Sequence, residues 1–420
     1  MSKRTEIIAG ITTFFTMSYI VVVNPAILAA PGTGMPFEGV LSATVLLCFF
    51  LTLFMGLYAK LPYAVAPGMG INAFFAYTVI IADRVPWPVA LGMVFWAGVL
   101  FVVISVTGLR VALAQAIPKD LRIASSVGIG IFLSFIGLRN AGLVIGNPVT
   151  LVGSGHLGLR PLLSLSGVAI TVFLAQKKNP FAFLAGIFFI TVAAWWLGLV
   201  HSPTHFFSRP DLTSVFFKLD PLKALRLAFL PTILSILFTD LFDSISTFIG
   251  VSEASRLLDE KGEPLRLREG LIVDAFATLA GGLLGTSSGT AYLESSAGIE
   301  MGGRTGLTSV VTAFCFLPLL FVAPLASMVP EYATAPVLMV VGALMFRGAS
   351  RLRLERLEDA IPVFLTIVLI PFTFSITEGL LWGFVSRGVL YPLAGRRREL
   401  TPVLYGLAIL GACLLWLEHG

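Results

Sequence analysis

The sequence predicts an all-α polytopic membrane protein with fourteen transmembrane segments arranged as a 7+7 inverted repeat. Three observations lead to this fold class: an apolar composition, a series of apolar runs that can span a bilayer, and a one-sided distribution of basic residues. Of the 420 residues, 57% are hydrophobic and only 12% are charged, and the mean hydropathy is +0.94. Soluble folds are about 45–50% apolar and about 25% charged, so this chain would expose large apolar patches in water.

Apolar runs between turn and charge signals mark the segments, since a helix needs about 20 residues to cross a bilayer. Residues 1–200 form the first repeat, with segments predicted at 6–30, 38–58, 68–81, 87–108, 123–138, 160–176 and 180–200. After a connecting loop at 201–223, residues 224–420 form the second repeat, with segments at 224–250, 268–284, 288–300, 304–328, 332–348, 358–374 and 376–393. A last apolar run at 402–417 either carries the C-terminus outward or lies half inserted.

Basic residues predict the orientation, because cytoplasmic loops of membrane proteins are enriched in Lys and Arg. With the N-terminus in the cytoplasm, seven of the 28 Lys and Arg residues face outside: Arg84, Arg139, Arg160, Arg209, Lys218, Lys223 and Arg226. The others face the cytoplasm, among them Arg110, Arg256, Lys261 and Arg353. This bias predicts a multi-pass protein of the cell (inner or plasma) membrane with a cytoplasmic N-terminus.

The third segment of each half is broken by glycine. Segment 3 opens at residues 67–72 with Pro-Gly-Met-Gly-Ile-Asn, and segment 10 follows Gly-Thr-Ser-Ser-Gly-Thr at residues 285–290. An odd number of segments per half inverts the second half relative to the first, and paired broken segments in such repeats indicate a binding site at the midplane of the membrane. The plainer alternative is that both are tight re-entrant turns.

Carboxylates occur in two segments where charge is costly. Segment 8 contains Asp240, Asp243 and Thr247, whose spacing predicts one shared helical face, and segment 10 contains Glu294. Because burial and a neighbouring like charge both disfavour ionisation, at least one of these groups can hold a proton near neutrality. We expect the acidic groups to accept N–H groups of a neutral ligand and to couple its binding to protonation. For Asp240, and for Asp274 in segment 9, a hydrogen bond to a neighbouring helix is the plainer expectation.

Other classes of protein lack support in the sequence. No Walker-type, His-Glu-x-x-His or Gly-x-Ser-x-Gly motif occurs, so neither an enzyme nor a nucleotide-driven pump is predicted. The four histidines lie outside long apolar runs, so no metal or cofactor is expected. Basic residues stand in short runs between apolar segments, where orientation signals belong, so the net charge of +5 does not indicate nucleic acid.

Five stretches together resemble the adenine, guanine and hypoxanthine permeases, the AzgA-like branch of the nucleobase:cation symporter-2 (nucleobase–ascorbate transporter) superfamily. They cover nearly the whole chain in order, at residues 4–19, 67–75, 242–243, 294–298 and 302–308. The resemblance implies a core domain of segments 1–4 and 8–11, a gate domain of segments 5–7 and 12–14, and a short strand in each of segments 3 and 10. It also implies proton-coupled uptake of purine bases by alternating access, and a homodimer formed through the gate.

The resemblance further assigns roles to individual residues. Asp243 and Glu294 would bind the base and couple the proton, and Asn72, Phe74 and Leu293 would line the pocket. Related uracil permeases place a Glu and a nearby His in the eighth segment, where this chain has Asp240, Asp243 and Ser244. Coupling would therefore rest on carboxylates alone, which leaves open whether Asp240 or Asp243 carries the proton.

Two further hypotheses remain at the level of the sequence. The same fold could serve a channel or an anion exchanger, or a carrier for xanthine or uracil. A channel has no need of an acidic pair that exchanges protons, and an anion site is expected to present a cation. The coupling ion, proton or sodium, and the preferred purine are not determined by the sequence.

Overall fold

A computed structural model describes residues 2–107, 118–255, 257–258, 264–352 and 354–419. Four of the basic residues assigned to the cytoplasmic side, Arg110, Arg256, Lys261 and Arg353, lie outside this part of the chain. Within it, seven helices are long and apolar enough to cross a membrane, and four shorter apolar helices accompany them. Helices and their short extensions account for fourteen segments in two sets of seven, so the predicted fold class is confirmed.

The first half contains segments 1–7. Segment 1 consists of two helices, Lys3–Met17 and Ile20–Leu28, and segment 2 is the helix Phe37–Phe54 with a π-helical turn Met55–Ala59. Segment 3 is the strand β1 (Val65–Pro67), the helix Met69–Ala73 and its π-helical continuation Phe74–Ala82. Single helices form segments 4 to 7: Trp87–Thr107, Lys119–Asn140, Leu159–Gln176 and Ala182–Trp196. An antiparallel hairpin of β2 (Val144–Asn147) and β3 (Leu151–Ser154) joins segments 5 and 6 and was not predicted.

The second half contains segments 8–14. A short helix (Pro221–Ala224) and a 3-10 turn (Leu227–Phe229) precede segment 8 (Leu230–Ser255), and segment 9 follows at Leu267–Leu284. Segment 10 is the strand β4 (Gly289–Ala291) and the helix Ser295–Glu300. The remaining elements are segment 11 (Gly306–Phe316, Leu317–Phe321 and Ala323–Ser327), segment 12 (Glu331–Phe346 and Arg347–Arg351), segment 13 (Leu357–Thr373) and segment 14 (Ile376–Leu393). After a 3-10 turn (Arg397–Glu399), the last apolar run forms a helix, Pro402–His419, whose Leu414 and Leu415 pack on Leu381 of segment 14.

The two broken segments meet at their strands in the middle of the fold. Strands β1 and β4 pair antiparallel, with Val65 opposite Ala291 and Pro67 opposite Gly289. Two further backbone hydrogen bonds, Tyr292 N–H to the Ala64 carbonyl and Gly68 N–H to the Ser288 carbonyl, extend the ladder at 3.0 and 2.9 Å. The pairing satisfies backbone groups that would be costly to leave unpaired in a bilayer. The predicted strands in segments 3 and 10 are confirmed, and they pair with each other.

Helix packing falls into two groups. In one, segment 4 packs on segment 9, and segments 1 and 2 pack on segment 11; in the other, segment 5 packs on segments 12 and 13, and segment 6 packs on segments 7 and 12. Glycine allows the closest crossings, as is common between helices in membranes. A Cβ on Gly98 would lie 2.4 Å from the Leu279 backbone nitrogen, and one on Gly342 would lie 2.3 Å from the Gly130 carbonyl oxygen.

Candidate functional site

A cavity of about 720 Å³ lies against the crossing strands. Its lining comes from segments 1, 3, 8 and 10 and from segments 6, 7 and 12 with the loop between segments 6 and 7. One end of the cavity opens to the protein surface, because the lining includes the exposed residues Leu293, Met301 and Lys178. Its volume falls in the range of about 300–1,000 Å³ that is typical of small-molecule sites.

Two carboxylates come to this cavity from different segments. Asp243 of segment 8 and Glu294 of segment 10 both line it and are both half-buried. Glu294 directly follows the β4 region and occupies the N-cap position of the helix Ser295–Glu300, but its side chain makes no capping hydrogen bond. The Tyr19 hydroxyl donates to Glu294 Oε1 at 2.6 Å instead. The structure therefore brings together the two acidic residues that the sequence singled out.

Asp240 does not line this cavity, although it shares a helical face with Asp243 and Thr247 by its spacing on segment 8. It is fully buried and accepts hydrogen bonds from the Thr278 hydroxyl of segment 9 and, at 2.7 Å, from the Ser288 hydroxyl. Asp240 and Thr247 point in nearly the same direction, since seven residues advance a helix by about 700°, so Asp240 is excluded from the cavity because Thr278 and Ser288 cover it. Thr247, one turn after Asp243, does line the cavity.

Asp274 supports the strand from behind. Its Oδ2 accepts hydrogen bonds from the Ala291 N–H at 3.2 Å and from the Thr290 hydroxyl at 3.4 Å. The Thr290 hydroxyl also lies 3.2 Å from the Ser244 hydroxyl of segment 8. Segments 8 and 9 together thus hold β4 and, through it, the position of Glu294. The sequence did not suggest this contact of Asp274 with a strand.

The other predicted pocket residues divide into two kinds. Leu293 lines the cavity and is 52% exposed. Asn72 and Phe74 do not line it: both are buried, the amide oxygen of Asn72 accepts a hydrogen bond from the Ser287 hydroxyl, and Phe74 packs in the core. The helix of segment 3 turns these side chains away from the cavity, which Gly68, Met69 and Gly70 border instead.

Several lining residues were not predicted. Thr12, Thr16 and Tyr19 come from segment 1 at intervals of four and three residues, which places them on one helical face. Phe183 comes from segment 7. The spacing on segment 1 was visible in the sequence, but nothing local indicated that this face borders a cavity rather than a neighbouring helix.

Charge is distributed unevenly along the cavity. Asp243 and Glu294 lie beside the strands, whereas Lys178, Glu300 and Arg347 line the exposed end, where Lys178 Nζ and Glu300 Oε2 are 2.8 Å apart. Arg122 of segment 5 borders a small adjoining pocket of about 30 Å³ together with Asp243. The inner part of the cavity thus presents hydrogen-bond acceptors, which suits a ligand that carries N–H groups.

A helical membrane fold with two broken segments that cross beside a cavity defines a membrane transporter. The chain belongs to a family described as the Permease family, which matches residues 4–381. This membership confirms the resemblance noted in the sequence, and it confirms that the protein is a permease rather than an enzyme.

The named relatives include permeases of similar length. The adenine permease AdeP of Escherichia coli (strain K12) is 42% identical over 410 residues, which are 97% of this chain and 92% of AdeP. The guanine/hypoxanthine permease PbuO of Bacillus subtilis (strain 168) is 39% identical over 418 residues, which are 97% of this chain and 96% of PbuO. Among solved structures, the transmembrane domain of a cyanobacterium bicarbonate transporter, BicA, superposes with a TM-score of 0.69 at 18% identity, covering 90% of this chain and 97% of that domain. That likeness concerns the fold alone.

Proposed function

We propose that the protein carries purine nucleobases, namely adenine, guanine or hypoxanthine, into the cell together with a proton. The observation that carries this proposal is the meeting of Asp243 and Glu294 in one cavity beside the crossing strands. The relatives named as adenine and guanine/hypoxanthine permeases support the choice of substrate, since they match this chain over 97% of its length.

The acidic pair suits a purine because these bases are neutral and present several N–H groups along their edges. Carboxylates accept such groups in charge-assisted hydrogen bonds, which are shorter and stronger than neutral ones. Tyr19 and Phe183 add aromatic rings to the lining of the cavity, and a flat base can pack on such rings. An anion would instead meet two acidic groups here, so the geometry favours the purine over anion exchange.

We infer the coupling of transport to a proton from the same two carboxylates. Two carboxylates that face one cavity repel each other when both are ionised, and burial adds to the cost. A proton taken up by one of them lowers this cost and leaves the other free to bind the N–H groups of the base. While the substrate is bound, Asp243 and Glu294 share one proton between them. Asp240 stabilises helix packing in the core domain and does not bind the ligand.

Transport proceeds by alternating access. We assign segments 1–4 and 8–11 to a core domain and segments 5–7 and 12–14 to a gate domain; the packing of segment 4 on segment 9 and of segment 5 on segments 12 and 13 supports this assignment. The cavity lies between them, with Asp243 and Glu294 on the core side and Phe183 and Lys178 on the gate side. A rigid-body movement of one group against the other would then expose the site to each side of the membrane in turn.

We also propose an orientation of the protein in the membrane. The exposed end of the cavity carries Lys178 and Arg347, which the distribution of basic residues places on the cytoplasmic side. The structure then corresponds to an inward-open state of a protein in the cell membrane with a cytoplasmic N-terminus. We further propose that two copies associate through their gate domains, which leaves this cavity accessible.

Uptake into proteoliposomes tests the proposal. Radiolabelled adenine, guanine, hypoxanthine, xanthine and uracil are compared with and without an inward proton gradient, in sodium-free buffer. We expect at least one of the first three to accumulate, and only with the gradient. Accumulation of xanthine or uracil alone, or accumulation that requires sodium, would contradict it. Glu294→Gln should abolish the accumulation. Glu300→Gln is its matched control, because Glu300 is also acidic but lies at the exposed end of the cavity.

A further inference from the structure

Tyr19 occupies the break in segment 1. The two helices of the segment end and begin on either side of Ser18 and Tyr19, and the Tyr19 side chain is 1% exposed. Its hydroxyl donates to Glu294 Oε1 at 2.6 Å. The neighbouring phenol of Tyr292 does not compete for this role, because its hydroxyl donates to the Pro67 carbonyl. With no capping bond from its own side chain, Glu294 is oriented by Tyr19.

The ring of Tyr19 is held from the opposite packing group. Phe183, at the start of segment 7, lies with its ring centroid 4.7 Å from that of Tyr19, and the two planes are tilted by 43°. This is the spacing of a favourable aromatic pair. One side chain of segment 1 therefore contacts both the acidic residue on the core side and a residue of the gate side.

We propose that Tyr19 is a positioning residue through which the gate controls the substrate affinity of Glu294. The inference rests on the proposed function and extends it. While Phe183 packs on the Tyr19 ring, the phenol occupies Oε1 of Glu294 and leaves Oε2 to accept an N–H group of the base. When the gate domain moves and Phe183 withdraws, the phenol is released, the carboxylate loses its fixed orientation, and the base is bound less tightly.

Removal of the hydroxyl alone is the first test. Tyr19→Phe keeps the ring against Phe183, and we expect the dissociation constant for the transported purine to rise about tenfold, since a hydrogen bond to a charged group is lost. Tyr63→Phe is the matched control, because Tyr63 is equally buried and its hydroxyl lies 2.8 Å from the Ser252 hydroxyl, outside the cavity lining. Equal affinity of Tyr19→Phe and Tyr63→Phe would overturn the proposal.

A double-mutant cycle tests the link to the gate. Phe183→Leu should weaken purine binding about threefold in the unmodified protein, which is the loss of one aromatic pair. In a Tyr19→Phe background the same change should have little further effect, because the hydroxyl that Phe183 holds in place is gone. The same factor in both backgrounds would mean that Phe183 acts on the substrate by itself, and the proposal would be wrong.

A third measurement needs no substrate. The infrared band of the Glu294 carboxyl group is identified as the band that disappears in Glu294→Gln, and Tyr19→Phe and Phe183→Leu should both shift it, whereas Tyr63→Phe should not. If these shifts occur but no purine binds, the positioning role stands and the proposed substrate is wrong. If purines bind but neither the band nor the affinity changes, the positioning role is wrong and the proposed function stands.

Discussion

At the scale of single residues, two aspartates three positions apart on segment 8 have different surroundings. Asp243 borders the cavity and is half-buried, whereas Asp240 is enclosed by hydroxyl groups of segments 9 and 10. A carboxylate that faces a cavity can exchange protons and bind a ligand, while one that is enclosed by hydroxyl donors holds elements together. Replacement of the two residues should therefore have different effects, on stability for Asp240 and on purine binding for Asp243.

Asp240→Ala and Asp243→Ala separate these roles. We expect Asp240→Ala to lower the free energy of unfolding by about 2–4 kcal/mol, because the buried hydroxyls of Thr278 and Ser288 lose their acceptor. Asp243→Ala should leave the melting temperature of the purified protein nearly unchanged and abolish purine binding. Thermal unfolding and purine binding measured on both variants check this, and the opposite pattern would exchange the roles of the two residues.

At the scale of elements, remote side chains support the ends of helices. The carboxylate of Glu6, which is 3% exposed in segment 1, accepts hydrogen bonds from the backbone N–H groups of Arg304 and Thr305 and, at 2.5 Å, from the Thr308 hydroxyl. Arg304 and Thr305 stand immediately before the helix Gly306–Phe316, where their N–H groups have no partner within the helix, and Thr308 stands in its first turn. Glu6 thus acts as a cap supplied by another segment.

Replacement of this cap should destabilise the packing of segment 1 on segment 11. For Glu6→Ala we expect a loss of about 1–3 kcal/mol in unfolding free energy, since buried N–H and hydroxyl donors lose an acceptor. Glu38→Ala is the matched control, because Glu38 stands in the first turn of segment 2 and is exposed. Equal melting temperatures of the two variants would contradict the capping role.

The crossing of segments 5 and 12 depends on glycine. A Cβ at position 342 would lie 2.3 Å from the Gly130 carbonyl oxygen, so Gly342→Ala must push the two helices apart, at a cost of about 1–3 kcal/mol. Gly406→Ala is the control, since a Cβ there has no heavy atom within 4 Å, and alanine should stabilise its helix by up to about 1 kcal/mol. Thermal unfolding of both variants measures the difference, and a stabilising Gly342→Ala would contradict this account of the crossing.

At the scale of the whole molecule, the sequence predicted the features that are local and missed those that depend on distant contacts. Apolar runs gave the fourteen segments, and the glycines of segments 3 and 10 gave the breaks, because a helix cannot continue through them at low cost. Asp243 and Glu294 stood out because charge is rare in apolar surroundings. The bond from Tyr19 to Glu294 joins residues 275 positions apart, and no local pattern encodes it.

The placement of Asn72 and Phe74 has a similar cause. Both residues stand in segment 3, which its glycines correctly identified as a broken segment. The direction of their side chains, however, depends on how the helix Met69–Ala73 packs on its neighbours. The Asn72 amide instead meets the Ser287 hydroxyl beside β4, far along the chain. Membership of a pocket is decided by such packing, which a single sequence does not contain.

Accessibility of the cavity checks the orientation of the whole protein. In a variant without its three native cysteines, Leu293→Cys should react with a membrane-impermeant thiol reagent in inside-out vesicles and be protected by a transported purine. Leu157→Cys, an exposed residue before segment 6 on the predicted outer side, is the control and should react in right-side-out vesicles. The reverse pattern would invert the topology.

Proton movement driven by a purine tests whether Asp243 and Glu294 bind a purine and a proton together. Proteoliposomes that enclose a pH-sensitive dye are given adenine, guanine or hypoxanthine outside, with no gradient imposed. We expect the interior to acidify with the transported purine in the unmodified protein and in Glu300→Gln, and we expect Asp243→Asn and Glu294→Gln to abolish the signal. Purine uptake without acidification, or acidification that survives both substitutions, would contradict this shared binding.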